Sequence, residues 1–278
     1  MHRSPKEYPA PAVGRNQTAA HGAAHPPALA LVIPTLREAK NIRILLERVR
    51  TALDRCGSTY EVIVVDDDSG DGTEGIVTAM GAEDPRIRIV VRSGERGLAG
   101  AVIRGWEESR APYLAVMDAD LQHPPELLPR LWAALDAGAD LAVGSRYADG
   151  GDLVDWHPAR ALISRIAVWM TLPVQRSPMR ARDPMSGYFL VRRACIDGIE
   201  LRKTGFKLLL EILARGDVES LVEVPFAFGR RNDGTSKANL RVAWDYLALL
   251  WALYRQPRRA PSPVPLRAIR AARSRAAS

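Results

Sequence analysis

Short apolar runs alternate with helix-forming segments along the first half of the chain, and this alternation constrains the fold more than any other feature. The apolar runs, largely β-branched, occupy residues 28–33, 60–65, 87–91, 113–117 and 141–143. Segments with a helical spacing of apolar residues lie between most of them, near residues 42–53, 73–80, 98–110 and 125–137. This pattern predicts an α/β fold with a mostly parallel, twisted sheet flanked by helices.

Acidic residues follow directly after the second run, where the sequence reads Asp66-Asp67-Asp68-Ser69-Gly70-Asp71. Ligands of parallel α/β sheets bind beyond the carboxyl ends of the strands. Neighbouring carboxylates repel each other unless a cation or hydrogen-bond donors lie between them. However, Asp and Gly are also common in turns and helix caps. The cluster alone therefore supports a ligand site and a simple turn about equally.

A second pair of acids, Asp118 and Asp120, follows the fourth run. Residues two apart in an extended chain point to the same side, so both carboxylates face one way. Two hard oxygen ligands on one side suit Mg²⁺ or Mn²⁺, which also bind phosphate oxygens and water. His123 is either a further ligand or, as we favour, a loop histidine before two prolines.

Two other kinds of site find little support. The first apolar run is not followed by the G-x-G-x-x-G motif of dinucleotide-binding folds, which argues against a redox enzyme. The two cysteines, Cys56 and Cys195, have neither metal-ligand spacing nor the pattern of a disulfide framework. We therefore expect buried thiols and a reducing compartment.

The positive charge is concentrated at the C-terminus. The 278-residue chain has a formal net charge of +7, and residues 255–278 contain seven arginines and no acid. The rest of the chain is therefore balanced, which argues against a broad nucleic-acid-binding face. An arginine-rich tail is suited to an anionic membrane surface.

The sequence predicts four parts: a disordered extension at residues 1–27, a catalytic domain at 28–237, an amphipathic helix at 238–256 and a basic disordered tail at 257–278. No run approaches the roughly 18 apolar residues that span a bilayer, and the first residues lack the apolar core of a secretory signal. The aromatic-rich helix is either an interfacial anchor or a terminal helix docked on the domain.

Several motifs occur in order along the chain and are specific when taken together. They are Ile33-Pro34-Thr35 with Glu38, Val65-Asp66-Asp67-Asp68-Ser69, Met117-Asp118-Ala119-Asp120-Leu121-Gln122-His123-Pro124-Pro125, Gly144-Ser145-Arg146-Tyr147, Asp183-Pro184-Met185-Ser186-Gly187, Glu223-Val224-Pro225 and Gly234-Thr235-Ser236-Lys237. The chain thereby resembles inverting family-two glycosyltransferases of the GT-A type fold. More narrowly, it resembles the dolichyl- or polyprenyl-phosphate mannose synthases.

The resemblance implies a role for each matching residue. The nucleotide-sugar donor would be bound by Pro34, Thr35, Glu38, Asp66, Asp68, Asp118, Ala119, Asp120, Arg231 and Lys237. A Mg²⁺ or Mn²⁺ ion would be held by Asp118, Asp120 and Gln122, and the acceptor phosphate by Arg146, Arg160 and Ser164. The expected catalytic residues are Asp118, Asp120, Arg146 and Asp183.

The resemblance also sets the expected reaction, which is mannose transfer from GDP-mannose to dolichyl or polyprenyl phosphate. Two alternatives stay open: a glucosyltransferase that uses UDP-glucose, and a non-catalytic nucleotide-sugar-binding subunit. We expect a peripheral protein on the cytoplasmic face of a membrane, with or without a membrane-spanning partner subunit. The loop at residues 228–237 is either a lid over the donor or an ordinary surface turn.

Overall fold

A computed structural model describes residues 26–148, 158–175, 180–202, 207–227 and 240–255. Its strands are β1 (Leu29–Thr35), β2 (Tyr60–Asp66), β3 (Ile87–Val91), β4 (Tyr113–Val116), β5 (Leu141–Ser145), β6 (Phe189–Arg192) and β7 (Leu221–Pro225). Its helices are α1 (Ile42–Asp54), α2 (Thr73–Glu83), α3 (Leu98–Glu107), α4 (Leu128–Asp136), α5 (Pro158–Met170), α6 (Leu208–Arg215) and α7 (Leu240–Arg255).

The seven described strands form one sheet in the order β3-β2-β1-β4-β6-β5-β7. Strand β6 pairs antiparallel with both β4 and β5, and the other neighbouring strands are parallel. The predicted α/β fold with a mostly parallel sheet is thus confirmed, and all five predicted strands are present. Strand β6 was not predicted, because its short run lies outside the regular alternation of apolar runs and helical segments in the first half of the chain.

Helices cover both faces of the sheet. One core packs α1, α2 and α4 against alternate residues of the central strands, such as Leu31 of β1. The other core packs α3 and α6 against the residues between them, such as Val32. Because β1 is buried from both sides, its sequence is continuously apolar rather than alternating.

Strand β1 continues through Pro34, whereas the first apolar run was expected to end before it. Val32 accepts a hydrogen bond from Met117 on the β4 side, and Thr35 accepts one from Asp67 on the β2 side. Because the backbone hydrogen-bonding groups of successive residues alternate between the two neighbouring strands, the backbone nitrogen of Pro34 faces β4. The register with β4 ends at Val32, so no ladder bond requires the N–H that proline lacks.

Helices α5 and α7 pack together through a small separate core that includes Val174, Leu250 and Leu253. The hydroxyl of Tyr246 in α7 also donates to the carbonyl of Ala167 in α5. None of the helices in the described ranges is long and apolar enough to cross a membrane.

Candidate active site

Most of the predicted site residues lie along one edge of the sheet. The carboxyl ends of β1, β2, β4 and β5 meet there, and the antiparallel strand β6 begins at the same edge. The first acidic cluster follows β2, Asp118 follows β4, Arg146 follows β5 and Asp183 precedes β6. The topology thus brings together groups that are far apart in the sequence.

A hydrogen-bonded network joins the ends of β1 and β2. The hydroxyl of Thr35 donates to Asp66 Oδ1 at 2.7 Å, and the backbone N–H of Ser69 donates to Asp66 Oδ2 at 2.8 Å. Pro34 is partly buried beside them, and Glu38 accepts from the amide of Asn41 at 2.9 Å. The buried carboxylate of Asp66 therefore has a fixed orientation.

Asp68 differs from its two acidic neighbours because it is exposed and has a φ of 54°. A positive φ in a residue other than glycine is uncommon. The turn that contains Asp68 is bound to the turn after β1, because the N–H of Arg37 donates to Ser69 Oγ at 2.7 Å. Arg37 also has a positive φ, of 64°. The two turns thus form a single braced rim.

Asp67, the middle acid of the run Asp66-Asp67-Asp68, forms a buried ion pair with Arg92. This pair was not predicted from the sequence. Arg92 donates to Asp67 through Nε at 2.8 Å and through Nη2, and the N–H of Gly97 donates to the other carboxylate oxygen at 2.7 Å. Arg92 directly follows β3 and is separated from Asp67 by 25 positions in the sequence. The pair therefore joins the end of β2 to the start of α3.

The residues predicted to hold a metal lie in the turn after β4. The N–H of Gln122 donates to Asp120 Oδ1 at 3.2 Å, and Leu121 between them has a φ of 62°. Ala119 is buried, whereas Asp118, Asp120 and Gln122 are partly exposed. The described part of the chain contains no group of three or more His, Cys, Asp or Glu that could hold an ion by itself.

These residues fit a hard divalent cation. Carboxylate and amide oxygens are the ligands that Mg²⁺ and Mn²⁺ prefer. The Asp118 carboxylate lies over Gly187, where a Cβ would come within 2.6 Å of Asp118 Oδ2. Glycine at position 187 therefore leaves room for this carboxylate at the edge of the sheet.

His123 is buried beside this turn. Its ring lies 5.2 Å from that of Tyr188 and 5.7 Å from that of Phe226, centroid to centroid, and its Nδ1 is 3.7 Å from Asp118 Oδ2. Burial, and then the positive charge of Arg146, lowers the pKa of His123 to about 3. The imidazole is therefore neutral at pH 7.

Arg146 and Asp183 form the second buried ion pair of the site. Arg146 donates to Asp183 through Nε and Nη2, both at 2.8 Å, and through its backbone N–H at 3.1 Å. Asp183 is completely buried. Burial tends to lower the pKa of Arg146, but the hydrogen bonds and charge of Asp183 outweigh it, so the pKa is raised. The bidentate contact fixes the plane of the guanidinium.

Lys207 belongs to the same group, although the sequence analysis gave it no role. Its pKa is lowered to about 8, first by burial and then by the charge of Arg146, while Asp183 and Asp118 act in the opposite direction. Lys207 directly precedes the apolar start of α6. The sequence signal for it is the motif Gly205-Phe206-Lys207, which belongs to the family resemblance but was assigned no role.

The predicted acceptor residues are described only in part. The hydroxyl of Ser164 in α5 lies 2.7 Å from that of Tyr147, the residue after Arg146. The backbone of Arg160 belongs to α5, but its side chain is outside the described part. Arg231 and Lys237, with the candidate lid at residues 228–237, also lie outside it.

The sheet, its helices and the acids at its carboxyl edge together define a glycosyltransferase of the GT-A type. The chain belongs to glycosyltransferase family 2, because the family model described as "Glycosyl transferase family 2" matches residues 30–199.

The similar curated proteins narrow this assignment. A dolichol-phosphate mannosyltransferase from Pyrococcus furiosus is 41% identical over 228 residues, which are 81% of this chain and 63% of that protein. The chain thus spans less than two thirds of the archaeal protein. A dolichol-phosphate mannosyltransferase from Mycosarcoma maydis is 38% identical over 238 residues, which are 82% of this chain and 80% of that protein. The predicted resemblance is confirmed.

A solved structure shares the fold. Glucosyl-3-phosphoglycerate synthase from Mycobacterium tuberculosis, in complex with Mn²⁺, UDP-glucose and phosphoglyceric acid, superposes with a TM-score of 0.63 at 16% identity. The match covers 83% of this chain and 81% of that one. At this identity the likeness establishes the fold and not the substrate.

Proposed function

We propose that this enzyme transfers mannose from GDP-mannose to dolichyl or another polyprenyl phosphate, with inversion at the anomeric carbon. One observation carries the proposal beyond the names of the relatives. Arg146, bound by Asp183 after β5, and Asp118, after β4, lie at the same edge of the sheet, and the charge of Asp118 helps to raise the pKa of Arg146, so this edge carries both a cation suited to a phosphate and a carboxylate suited to a metal. Such a site can hold two phosphorylated substrates side by side.

The donor side would be formed by the ends of β1, β2 and β4. Thr35 and Asp66 form a fixed, buried wall there, and Glu38 and Asp68 lie in the braced rim. Asp118, Asp120 and Gln122 would hold a Mg²⁺ or Mn²⁺ ion. When bound, the ion would neutralise charge on the departing nucleoside diphosphate. Mn²⁺ accompanies UDP-glucose in the structural neighbour.

The acceptor side would be formed by Arg146, Ser164 and the side chain of Arg160. A guanidinium presents planar, paired donors that match a phosphate. An acceptor phosphate oxygen is already anionic near neutral pH, so its attack on the anomeric carbon needs no strong base. Asp183 is completely buried and holds Arg146, which suits positioning rather than proton removal. Positioning and electrostatic stabilisation would therefore supply most of the rate.

Lys207 and two undescribed residues, Arg231 and Lys237, would add positive charge around the donor diphosphate. The lowered pKa of Lys207 reflects its burial beside Arg146. A bound diphosphate would stabilise the positive charges of Lys207 and Arg146 together. The loop at residues 228–237 would close over the donor.

The exposed faces of α5 and α7 support a position at a membrane surface. They present the apolar side chains Ile166, Trp169, Trp244, Leu247, Trp251 and Tyr254. Aromatic residues favour membrane–water interfaces. Helix α5 also carries Ser164, so a lipid held at this surface would have its phosphate near Arg146. The free thiols of Cys56 and Cys195 support the cytoplasmic face, where thiols stay reduced.

The test is transfer of labelled sugar from GDP-mannose to a short polyprenyl phosphate, with Mg²⁺ or Mn²⁺ and with a chelator. UDP-glucose runs in parallel. We expect metal-dependent lipid-linked mannose that falls by at least about 100-fold in Asp120→Ala, because a metal ligand is lost. Asp136→Ala, at an exposed aspartate on the last turn of α4, is the matched control and should retain activity.

Each other outcome has a distinct meaning. Transfer from UDP-glucose alone would keep the mechanism and replace the donor sugar. Metal-dependent nucleotide binding without transfer from either donor would contradict the proposal and favour a non-catalytic subunit.

A further inference from the structure

Three consecutive backbone N–H groups, at residues 181–183, are bound by side chains instead of by a strand. The N–H of Ala181 donates to Gln175 Oε1 at 2.8 Å. The N–H groups of Arg182 and Asp183 donate to the two carboxylate oxygens of Glu223, at 3.0 and 3.1 Å. The backbone of this segment is therefore held by the side chains of Gln175 and Glu223.

Glu223 is well placed to impose it. It lies in β7, opposite Val143 of β5, and its neighbours Val222 and Val224 pack into the core on the other face of the sheet. Residues alternate between faces along a strand, so Glu223 points towards the face where residues 181–183 lie. An ionised carboxylate only accepts hydrogen bonds, so each oxygen can take one N–H.

Gln175 closes the other end of the segment. It is buried, and its amide donates to the hydroxyl of Thr171 at 2.8 Å, just after α5. One residue thus links the segment to the end of α5 and the other links it to the sheet. Asp183, the last residue of the segment, then carries Arg146 through the bidentate contact.

We propose that Glu223 is a positioning residue of the transfer reaction. By holding two adjacent N–H groups, it fixes the backbone of Asp183 and through it the guanidinium of Arg146. This inference rests on the proposed function, because Arg146 is taken to bind the acceptor phosphate. Nothing in the arrangement requires Glu223 to touch either substrate.

The substitution that tests this is Glu223→Gln. Glutamine keeps the size and one acceptor oxygen, but its NH₂ group would face the second N–H, so one of the two hydrogen bonds is lost. Glu219→Gln is the matched control, because Glu219 is exposed and lies just before β7. Glu223→Asp keeps both acceptor oxygens on a shorter side chain and serves as the milder variant.

We expect the kcat/KM for polyprenyl phosphate to fall on the order of 10-fold in Glu223→Gln, the effect of one lost hydrogen bond. The KM for GDP-mannose should change little, the thermal midpoint should fall by about a few degrees, and Glu219→Gln should match the wild type. In an Arg146→Met background, Glu223→Gln should have no further effect, because the residue acts through Arg146. Equal and additive losses in both backgrounds would overturn the proposal.

A second readout does not depend on activity. In enzyme labelled with ¹⁵N-arginine, the Arg146 Nε–H should exchange with solvent faster in Glu223→Gln than in the wild type, with an intermediate rate in Glu223→Asp. Unchanged exchange in a folded Glu223→Gln variant would refute the positioning role. A wild-type enzyme that transfers no sugar would instead refute the proposed function, and the exchange result would still decide on Glu223.

Discussion

At the residue scale, the two buried carboxylates at the end of β2, Asp66 and Asp67, each accept hydrogen bonds from donors within the protein. Both oxygens of Asp66 accept hydrogen bonds from Thr35 and Ser69. Both oxygens of Asp67 accept from Arg92 and Gly97. Repulsion between the two acids is thereby offset inside the protein, so their orientation does not depend on a ligand.

The buried pair Asp67–Arg92 leads to a prediction about stability. The side chains of Arg92 and Asp67 are only 4% and 7% exposed. Asp67→Asn would leave the buried guanidinium with only the exposed carboxylate of Glu95, 3.4 Å from Nη1, as a counter-charge, and breaking a buried pair costs about 3–5 kcal/mol. We expect the free energy of unfolding in urea to fall by that amount, with an unchanged dependence on urea concentration.

The control for this prediction is Glu126→Gln. Glu126 forms a bidentate pair with Arg48, but both side chains are largely solvent-exposed. Exposed pairs contribute at most about 1 kcal/mol. Similar losses in the two variants would show that burial does not set the strength of the Asp67–Arg92 pair.

Sequence reasoning located part of the site for simple geometric reasons. Asp118 and Asp120 were predicted as a pair because residues two apart in an extended chain point to one side, and in the structure both lie in the turn that follows β4. The pairs of Asp67 with Arg92 and of Asp183 with Arg146 were not foreseen. Their members are 25 and 37 residues apart, and they meet only after the strand order of the sheet is known. Lys207 belongs to a motif of the family resemblance, but its burial near Arg146 is not encoded by any local pattern.

At the element scale, the sequence predicted the strands that form the parallel half of the sheet. These strands are buried on both faces, so each appears as an apolar run that can be recognised without knowledge of its neighbours. The position of β6 between β4 and β5 was beyond prediction, because it is set by non-local pairing. That position matters for function, since it brings Asp183 and Gly187 to the edge where Asp118 lies.

A charged junction fixes the start of the sheet and yields a second prediction. Arg86 donates to Asp84 through Nε at 2.9 Å and Nη2 at 2.7 Å, and to Asp54 at the end of α1 through Nη1 at 2.7 Å. Its guanidinium also lies 4.5 Å above the ring of Tyr60 in β2. We expect Asp84→Asn to lower the free energy of unfolding by about 1 kcal/mol at pH 7, because the junction is partly exposed.

The pH dependence of this effect has a definite sign. The hydrogen bonds from Arg86 hold the pKa of Asp84 below its ordinary value of 3.8, against an opposing effect of burial. A carboxyl with a lower pKa in the folded state stabilises the fold above its unfolded pKa, and this contribution disappears as the pH falls through the folded value. In urea unfolding from pH 7 to pH 2.5, the difference between wild type and variant should therefore begin to shrink near the ordinary pKa of 3.8 and close only as the pH falls through the lower folded-state pKa. A constant difference, or an equal effect of Glu83→Gln, would contradict this account.

At the scale of the whole molecule, the donor and acceptor sides occupy different parts of one sheet edge. The ends of β1, β2 and β4 face the proposed donor, and the segments after β5 and before β6 carry the proposed acceptor groups. Helix α5 extends from the acceptor side, since Ser164 contacts Tyr147, and packs against α7. The contact between the two helices buries one side of α7 and leaves aromatic side chains on the other.

Helix α7 can be docked on the domain and still serve as an interfacial anchor, so the two interpretations of its sequence are compatible. Leu250 and Leu253 dock the helix on α5 and α6, whereas Trp169 of α5 and Trp251 of α7 remain 71% and 61% exposed. Arg255 lies 4.2 Å over the ring of Trp251, so a cation accompanies the exposed aromatic group. A surface of this composition suits the interface of an anionic bilayer.

The last prediction concerns binding of the full chain to vesicles that contain anionic phospholipid. The double variant Trp169→Ser and Trp251→Ser should weaken flotation with these vesicles by at least about 10-fold, because each indole would otherwise bury apolar area in the interface. Ile44→Ser, at an exposed position on α1, is the matched control. Mannose transfer to a short, water-soluble polyprenyl phosphate should be retained, since neither tryptophan lies among the proposed site residues. Equal flotation of the double variant and the wild type would show that the two-helix face does not contact the membrane. If flotation were then abolished by high salt, the arginine-rich tail would account for membrane binding by itself.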